Sequence, residues 1–535
     1  MTEPTYPEHA PGEESVHPSN QIDRRGFFRG AAALTVGGFG VAAEVAQPEA
    51  QTGAAPETAD AAEQLEEQTQ SALRWIGRDP ADWVRPRAGV DHNVVIVGGG
   101  QSGLSIAYGL RRKGVGRVSV IDRASPGETG IWRSIARMHQ LRTPKALAGP
   151  ELGNAALSFR AWYETLHGTA AFDALDRIPR TDWADYLDWF QQATGTMVRY
   201  RTRLIEIEPQ GDLLRVHLES DGVRRTETAR KVVLANGYAG AGGPNVPEFI
   251  RALPADVWTH TTGNIPFEAL AGKVVGVVGA GSSAFDAAAV ALENGAAEVH
   301  LFSRRPYIDY PAPPAPQPAP APDRGYPNVS ELAYELPDVV RWRNFLLGDR
   351  RVASVPLDSI ERAVAFDNFH VHLNSSLSDV RAADGKVTGK VGSKNFRFDH
   401  LVAATGYRID LAAQPELARI HEAIALWRDR YKPAAGEENA AGAAHPYLGS
   451  GFELLPRSDT GAEYLRNIHC FNLAAALSFG VPVGDVPSVV DQPRLVTAIA
   501  RDFYREGVDT AAHERFINAP LTAPSPAPYE RAVAA

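Results

Sequence analysis

Apolar positions along the chain follow two recurring patterns. Residues 94–97, 117–121, 231–235 and 273–278 are continuous runs rich in β-branched residues, the signature of strands buried on both faces of a parallel sheet. Residues 104–113 and 284–293 carry apolar residues at helical spacing, and the first stops at Gly114. Period-two alternation marks 204–207, 214–218, 369–373, 385–389 and 396–398 as strands of antiparallel meanders. Residues 159–197 read as helical, with an aromatic stripe of Phe159, Trp162, Tyr163, Trp183, Tyr186, Trp189 and Phe190 assigned to core. Thr181 with Asp182 marks a helix start before Trp183. Residues 44–70 read as linker or exposed helix, 326–350 as helical, 468–472 as an apolar strand and 494–504 as a closing amphipathic helix.

Two of the predicted helices are entered through glycines. Gly98-Gly99-Gly100-Gln101-Ser102-Gly103 fits G-x-G-x-x-G, and Gly279-Ala280-Gly281-Ser282-Ser283-Ala284 is the G-x-G-x-x-A form. Gly98 permits a tight turn. Gly100 lets a pyrophosphate approach the backbone, and Gly103 lets helix and strand pack closely. Unpaired N–H groups and the helix dipole favour the anion there. About twenty residues on, the next strand ends in Asp122, where a carboxylate accepts from ribose hydroxyls, followed by Arg123. The strand after the second motif ends instead in Ser303-Arg304-Arg305. A carboxylate there would repel a 2′-phosphate, whereas two guanidiniums clamp one. The second nucleotide therefore reads as NADPH rather than NADH; two solvated surface arginines are the plainer alternative.

The two halves also end alike, in KVVLANGY (231–238) and HLVAATGY (400–407), a repeat on the scale of a domain. The expected fold is α/β, with two Rossmann-like dinucleotide-binding domains, the second inserted in the first, small antiparallel β-meanders and a helical substrate region. The expected segments are 1–48 (signal), 49–90 (linker or N-terminal extension), 91–240 (first part of the first dinucleotide domain), 241–398 (the second, NADPH domain, with a Pro-rich insertion over 306–345), 399–510 (return part of the first domain) and 511–535 (tail).

The 535 residues leave room for about three or four domains. Net charge is -10 and no basic patch is interleaved with aromatics, which argues against nucleic acid as a partner. Cys470 is the only cysteine, so a dithiol redox pair is excluded; in its apolar run it reads as a buried, inert thiol. Asp23-Arg24-Arg25-Gly26-Phe27-Phe28-Arg29 resembles the twin-arginine export consensus, followed by an uncharged apolar run, 30–43, too short to span a bilayer. Read as a signal, it implies the twin-arginine export machinery as a partner and a periplasmic location. Read as a chance Arg-Arg in a tail, it leaves the protein in the cytoplasm. Residues 311–322 (PAPPAPQPAPAP) read as an extended surface loop.

Taken together, the chain over 93–505 resembles flavin-dependent monooxygenases with two dinucleotide sites, the group that includes flavin-containing monooxygenases, Baeyer–Villiger enzymes and amine N-hydroxylases. The resemblance rests on both glycine motifs, on Gly130-Ile131-Trp132, on Leu141-Arg142-Thr143-Pro144-Lys145, on Arg304 and Arg305, and on Ala404-Thr405-Gly406-Tyr407. It implies FAD in the first cradle (Gly98, Gly100, Gln101, Ser102, Gly103, Asp122, Arg123, Trp132, Arg142, Thr143) and NADPH in the second (Gly279, Gly281, Ser282, Ser283, Ala284, Arg304, Arg305). Thr405, Gly406 and Tyr407 lie by both, and O2 is the co-substrate. Reduced flavin would form a C4a-hydroperoxide that passes one oxygen to a small amine, sulfur compound or ketone. His139, Gln140 and Lys145 are the candidates near the flavin edge. An oligomer is compatible with the sequence. The group's fingerprint F-x-G-x-x-x-H-x-x-x-[YFW] keeps only His260, with Pro254, Asp256 and Asn264 at its other positions, and Pro144 stands where a catalytic Asn is expected. Two alternatives stay open: an NAD(P)H oxidoreductase without oxygen insertion, and a nucleotide-binding redox sensor without turnover.

Overall fold

Where the apolar runs are continuous, the backbone forms buried parallel strands. The computed structural model describes residues 58–146, 149–310, 330–350, 355–458 and 461–533. The twin-arginine segment and the proline-rich run 311–322 lie outside these residues. The chain lays down β1 (His92–Val97), β2 (Val118–Ile121), an antiparallel pair β3 (Gln140–Pro144) and β4 (Arg177–Pro179), then β5 (Val198–Arg199). An antiparallel run of β6 (Thr202–Gln210), β7 (Leu213–Ser220) and β8 (Val223–Leu234) follows. The chain crosses by β9 (Gly242–Pro244) to β10 (Trp258–His260), β11 (Val274–Val278), β12 (Glu298–Phe302) and β13 (Phe369–His372). A meander of β14 (Ser378–Ala383), β15 (Lys386–Val391) and β16 (Lys394–Phe398) leads to β17 (His400–Ala403). Return is by β18 (Tyr407–Ile409), paired antiparallel with β9, and β19 (Ile468–Cys470) comes last.

The first parallel sheet has the order β5-β2-β1-β8-β19 and the second β13-β12-β11-β17-β10. The two orders correspond strand for strand, so the sequence repeat is a repeat of architecture. The fifth strand differs in origin: β19 comes from the C-terminal part, β10 from ahead of the second glycine motif. β8 does two jobs. Its exposed first half pairs in the meander with β7, and its last six residues are buried beside β1.

The first glycine motif opens the helix Gln101–Arg112, the second the helix Ser282–Glu293. The C-terminal helix Gln492–Gly507 packs on the former so closely that a Cβ on Gly109 would lie 3.0 Å from Val496. Buried Lys231 on β8 holds it there through Asp502 at 3.0 Å; removing one partner of such a pair leaves a buried charge uncompensated.

The aromatic stripe is core, as its spacing suggests: Phe159, Trp162, Trp183, Tyr186 and Phe190 are all buried in one cluster. Two local readings need correction. The helix with Trp183 runs Arg180–Ala193, starting one residue before Thr181, because Pro179 fixes φ at the entry and offers no N–H to satisfy. Residues 58–75 are a helix, Thr58–Trp75, but not an exposed one: Ala61, Leu65 and Thr69, spaced by four, are buried, and Leu65 joins the aromatic cluster. Cys470 is buried, with its thiol pushed up to about 12 by burial.

Among the described residues four histidines, His260, His400, His445 and His469, are also buried as neutral rings. Burial lowers His260 and His445 to about 4 and His469 to about 3, and His445 and His469 each hold a backbone carbonyl, of Ala441 and Gly451, through Nδ1. As pH falls from 6.5 towards 4, the unfolded chain takes up protons that the native chain refuses. The stability contribution is complete above the unfolded value and is lost as pH falls through this window. Denaturant midpoints measured at about pH 7, 5.5 and 4.5 should therefore fall steadily, and less so for His445→Gln; equal midpoints would contradict the assignment.

Candidate functional site: two facing dinucleotide cradles

At the end of β1 the chain turns through Gly98 with φ +114°, and a Cβ there would lie 2.3 Å from the carbonyl oxygen of Ala235, just beyond β8. A Cβ on Gly103 would lie 1.8 Å from the Gly98 carbonyl oxygen. These two contacts shut the back of the cradle. Its front is open: Gly100 faces only Gly130 Cα, at 3.6 Å from a built Cβ. Asp122 sits at the end of β2, where its Oδ2 accepts from Gly99 N–H (2.7 Å) and its Oδ1 from Ala124 N–H (2.8 Å).

The second cradle repeats the first. Gly279 has φ +123°, and a Cβ there would lie 2.2 Å from the carbonyl oxygen of Ala404, the residue equivalent to Ala235. Gly281 has nothing within 4 Å. Ala284 is fully buried where the helix meets the sheet, Ser282 is buried and Ser283 exposed. At the end of β12, Arg305 N–H donates to Ser303 Oγ (3.1 Å). Among the described residues neither the exposed Arg304 nor the half-buried Arg305 guanidinium has an ion-pair partner. The strand end that carries Asp122 in the first cradle thus carries two available cations in the second.

These residues suit two dinucleotides. Glycines close the back of each cradle and leave the front clear for a pyrophosphate at a helix N-terminus. Ser102 Oγ is buried with no hydrogen-bond partner among the described residues, as are both polar side-chain atoms of Gln492, at the start of the helix packed on Gln101–Arg112. The loop before Gln492 closes the first cradle: Gly484 lies 3.5 Å, from a built Cβ, from Gly237, and Asp485 accepts from Ser488 N–H and from the Tyr238 hydroxyl. Burial raises the Asp485 carboxyl.

The C-terminal edges of the two sheets face each other. Tyr238 and Tyr407, which end the two repeats, meet edge to face at 5.5 Å between ring centroids. Arg137 crosses the junction and donates to the carbonyls of Thr261 (2.6 Å) and Gly263 (2.7 Å); burial lowers it to about 10. Arg142 pairs with Asp286, buried in the second cradle helix, at 2.7 Å. Ser359 donates to the same carboxylate at 2.7 Å. His260, the surviving fingerprint position, is buried here, and its Nδ1 accepts from Thr262 N–H.

The residues read from sequence fall into place unevenly. Trp132 is buried and, with Leu104, Ala184 and Leu187, walls a cleft over Gly99 and Gly100. Arg123 is exposed beside the first cradle, within the field of buried Glu416. Thr143 is half-buried on β3. Thr405 Oγ1 donates to the Asn245 carbonyl at 2.5 Å, which ties the two chain crossings together, and Gly406 has φ +78°. Arg142 has its guanidinium on Asp286 rather than free for a flavin. Lys145 has its ammonium on the carbonyls of Phe172 and Asp173, at the end of the helix Thr169–Ala174. His139 is 63% exposed with Glu293 at 4.0 Å, and Gln140 is half-buried on β3. Asp286, Arg137 and Gln492 were missed. Only Asp286 carried a signal, a lone acid inside an otherwise apolar helix.

The closed back gives a direct test. A methyl at Gly98 requires the backbone to move and a residue other than Gly to hold φ +114°; strain of about 1–3 kcal/mol corresponds to a roughly ten- to hundredfold loss of affinity. Purified Gly98→Ala should be pale or colourless and should bind added FAD that much more weakly in a fluorescence titration. Flavin retained at the wild-type level would show that this turn is not a cofactor cradle.

Comparison with known proteins agrees with the geometry. Residues 95–239 match the family described as FAD-NAD(P)-binding, and residues 170–311 the family described as L-lysine 6-monooxygenase/L-ornithine 5-monooxygenase. The FAD-dependent urate hydroxylase of Xanthomonas campestris pv. campestris is 40% identical over 448 residues, which cover 82% of this chain and 93% of that protein. The fold is shared with ornithine hydroxylase from Pseudomonas aeruginosa (TM-score 0.58, 18% identity, 77% of this chain and 99% of that one). It is also shared with L-lysine 6-monooxygenase from Pseudomonas syringae (TM-score 0.57, 17% identity, 78% and 100%). With two cradles built on one plan and a relative matched along nearly its whole length, the chain belongs to the flavin-dependent monooxygenases and is an FAD-dependent oxidoreductase.

Proposed function

We propose that this enzyme hydroxylates urate or a closely related electron-rich oxopurine, with FAD reduced by NADPH and with O2 as co-substrate. The observation that carries the proposal is the 40% identity to a urate hydroxylase over 93% of that protein's length. The reaction balances as substrate, O2, NADPH and a proton giving hydroxylated substrate, water and NADP+. Bound flavin would supply the hydride acceptor and the activation of oxygen. A purine replaces the amine, sulfur compound or ketone expected from the wider resemblance, because the lysine and ornithine enzymes share the fold at only 17–18% identity.

The chain's own residues have three tasks in this reading. The cradles hold the two dinucleotides with their strand-end edges facing. Trp132, Leu104, Ala184 and Leu187, with Thr129, Arg133 and Asp188, wall the cleft over the first glycine turn and would enclose the dinucleotide there. Arg137 and the Arg142–Asp286 pair fix the distance between the halves. His139 and Gln140 are proposed for the ring edge. Lys145, held by two helix-end carbonyls, is proposed as a positioning residue for that loop. For the twin-arginine segment, we propose export of the folded, cofactor-loaded protein. Among the described residues no helix is long and apolar enough to cross a membrane.

Two measurements test the reading. With the purified holoenzyme, urate should accelerate NADPH oxidation and be consumed mole for mole with it, whereas lysine and ornithine should not. NADPH oxidation indifferent to urate, or coupled to an amine, would overturn the substrate. Replacing Arg304 and Arg305 by Ala should raise KM for NADPH by roughly tenfold or more while KM for NADH changes little, since each charged contact to a phosphate is worth about 1.5–3 kcal/mol. Equal changes for both nucleotides would remove these arginines from the 2′-phosphate.

A further inference from the structure

We propose a divalent transition-metal site on the second sheet, outside both cradles, formed by His300 and Glu298 of β12 and His370 of the edge strand β13. In the parallel register His300 lies beside His370 and Phe302 beside His372. Side chains alternate along each strand, so Glu298, His300, His370 and His372 share one face. One ligand atom from each of Glu298, His300 and His370 lies within 4.8 Å of the others. His300 Nε2 is 3.0 Å from Glu298 Oε2, and the rings of His300 and His370 stack at 4.8 Å.

The surroundings fit a metal better than an ordinary polar sheet face. His300 Nδ1 is 3.0 Å from His372 Nε2, the outer-shell contact that fixes the tautomer of a ligating imidazole and frees its Nε2 lone pair. Phe396 and Phe398 stand edge-on to His300 at 5.7 and 6.1 Å and make one wall apolar. Glu298 is 52% exposed and leaves an entry path from solvent. Two imidazoles and one carboxylate suit zinc, nickel or copper rather than magnesium or calcium, and three protein ligands leave a position for water. A bound ion would staple the edge strand β13 to β12. β13 in turn supports the arginine turn, since Ser303 N–H donates to the His372 carbonyl and Asn374 N–H to the Arg305 carbonyl.

The test is zinc titration of the full-length, flavin-loaded protein after treatment with chelator, read by calorimetry and by thermal melting. One equivalent of Zn2+ should bind and raise the melting temperature. His370→Asn and Glu298→Gln, both at positions reached by solvent, should each weaken binding by roughly tenfold or more and abolish the thermal shift. His513→Asn, at an exposed site on the helix Thr510–Ile517, should change neither. No saturable zinc binding, or binding equally strong in the His370 and Glu298 variants, would overturn the proposal. The readout is metal binding, so it is independent of the substrate assigned above.

Discussion

A carboxylate buried to 3% exposure in the middle of a helix is tolerable only with partners, and Asp286 finds its charged partners at opposite ends of the chain's middle. Arg142 reaches it from the first half; Ser359 and Arg362 reach it from within the second. Leaving such a group unpaired costs several kcal/mol, and the first half supplies the nearer of its two arginines, Arg142 at 2.7 Å against Arg362 at 3.9 Å. Other contacts across the junction set a guanidinium on backbone carbonyls: Arg137 on two, and Arg362 on the Arg137 carbonyl. One ionic knot and a ring of polar struts therefore set how far apart two nucleotides lie when their cradles are filled.

Repetition explains why the cradles face. Each sheet has the same strand order, and ligands in such sheets bind beyond the carboxyl ends of the strands. Each repeat ends in a glycine at positive φ followed by a tyrosine, Gly237-Tyr238 and Gly406-Tyr407, and the two tyrosines meet. The halves differ where chemistry must differ. The end of the second strand presents Asp122, already engaged with Gly99, in one half and Arg304 and Arg305, with no ion-pair partner among the described residues, in the other.

Much of this was legible in the sequence because it is local. Glycine spacing, strand-length apolar runs and the KVVLANGY/HLVAATGY match all lie within a few turns of chain, and the physics that demands them acts over the same distance. Helix onsets slipped by one residue where Pro179, rather than a hydroxyl, set the entry. The exposed-helix reading of 44–70 failed at Ala61, Leu65 and Thr69 because a partner face more than eighty residues away covers them. The partners of the candidate site residues were hidden for the same reason. Lys145 and Arg142 look available in the sequence, and nothing near them announces the helix-end carbonyls or the buried acid that hold them. His260 was noticed only as the remnant of a broken fingerprint, although it ends buried beside the junction.

The solitary cysteine has a wider meaning in an enzyme that handles oxygen. Among side chains, an exposed thiolate is readily oxidised. Here the single thiol is buried at the end of β19 and held in its protonated form, with Sγ turned to Asn472 Oδ1. With three methionines in 535 residues, the chain offers an oxidant almost no sulfur to damage.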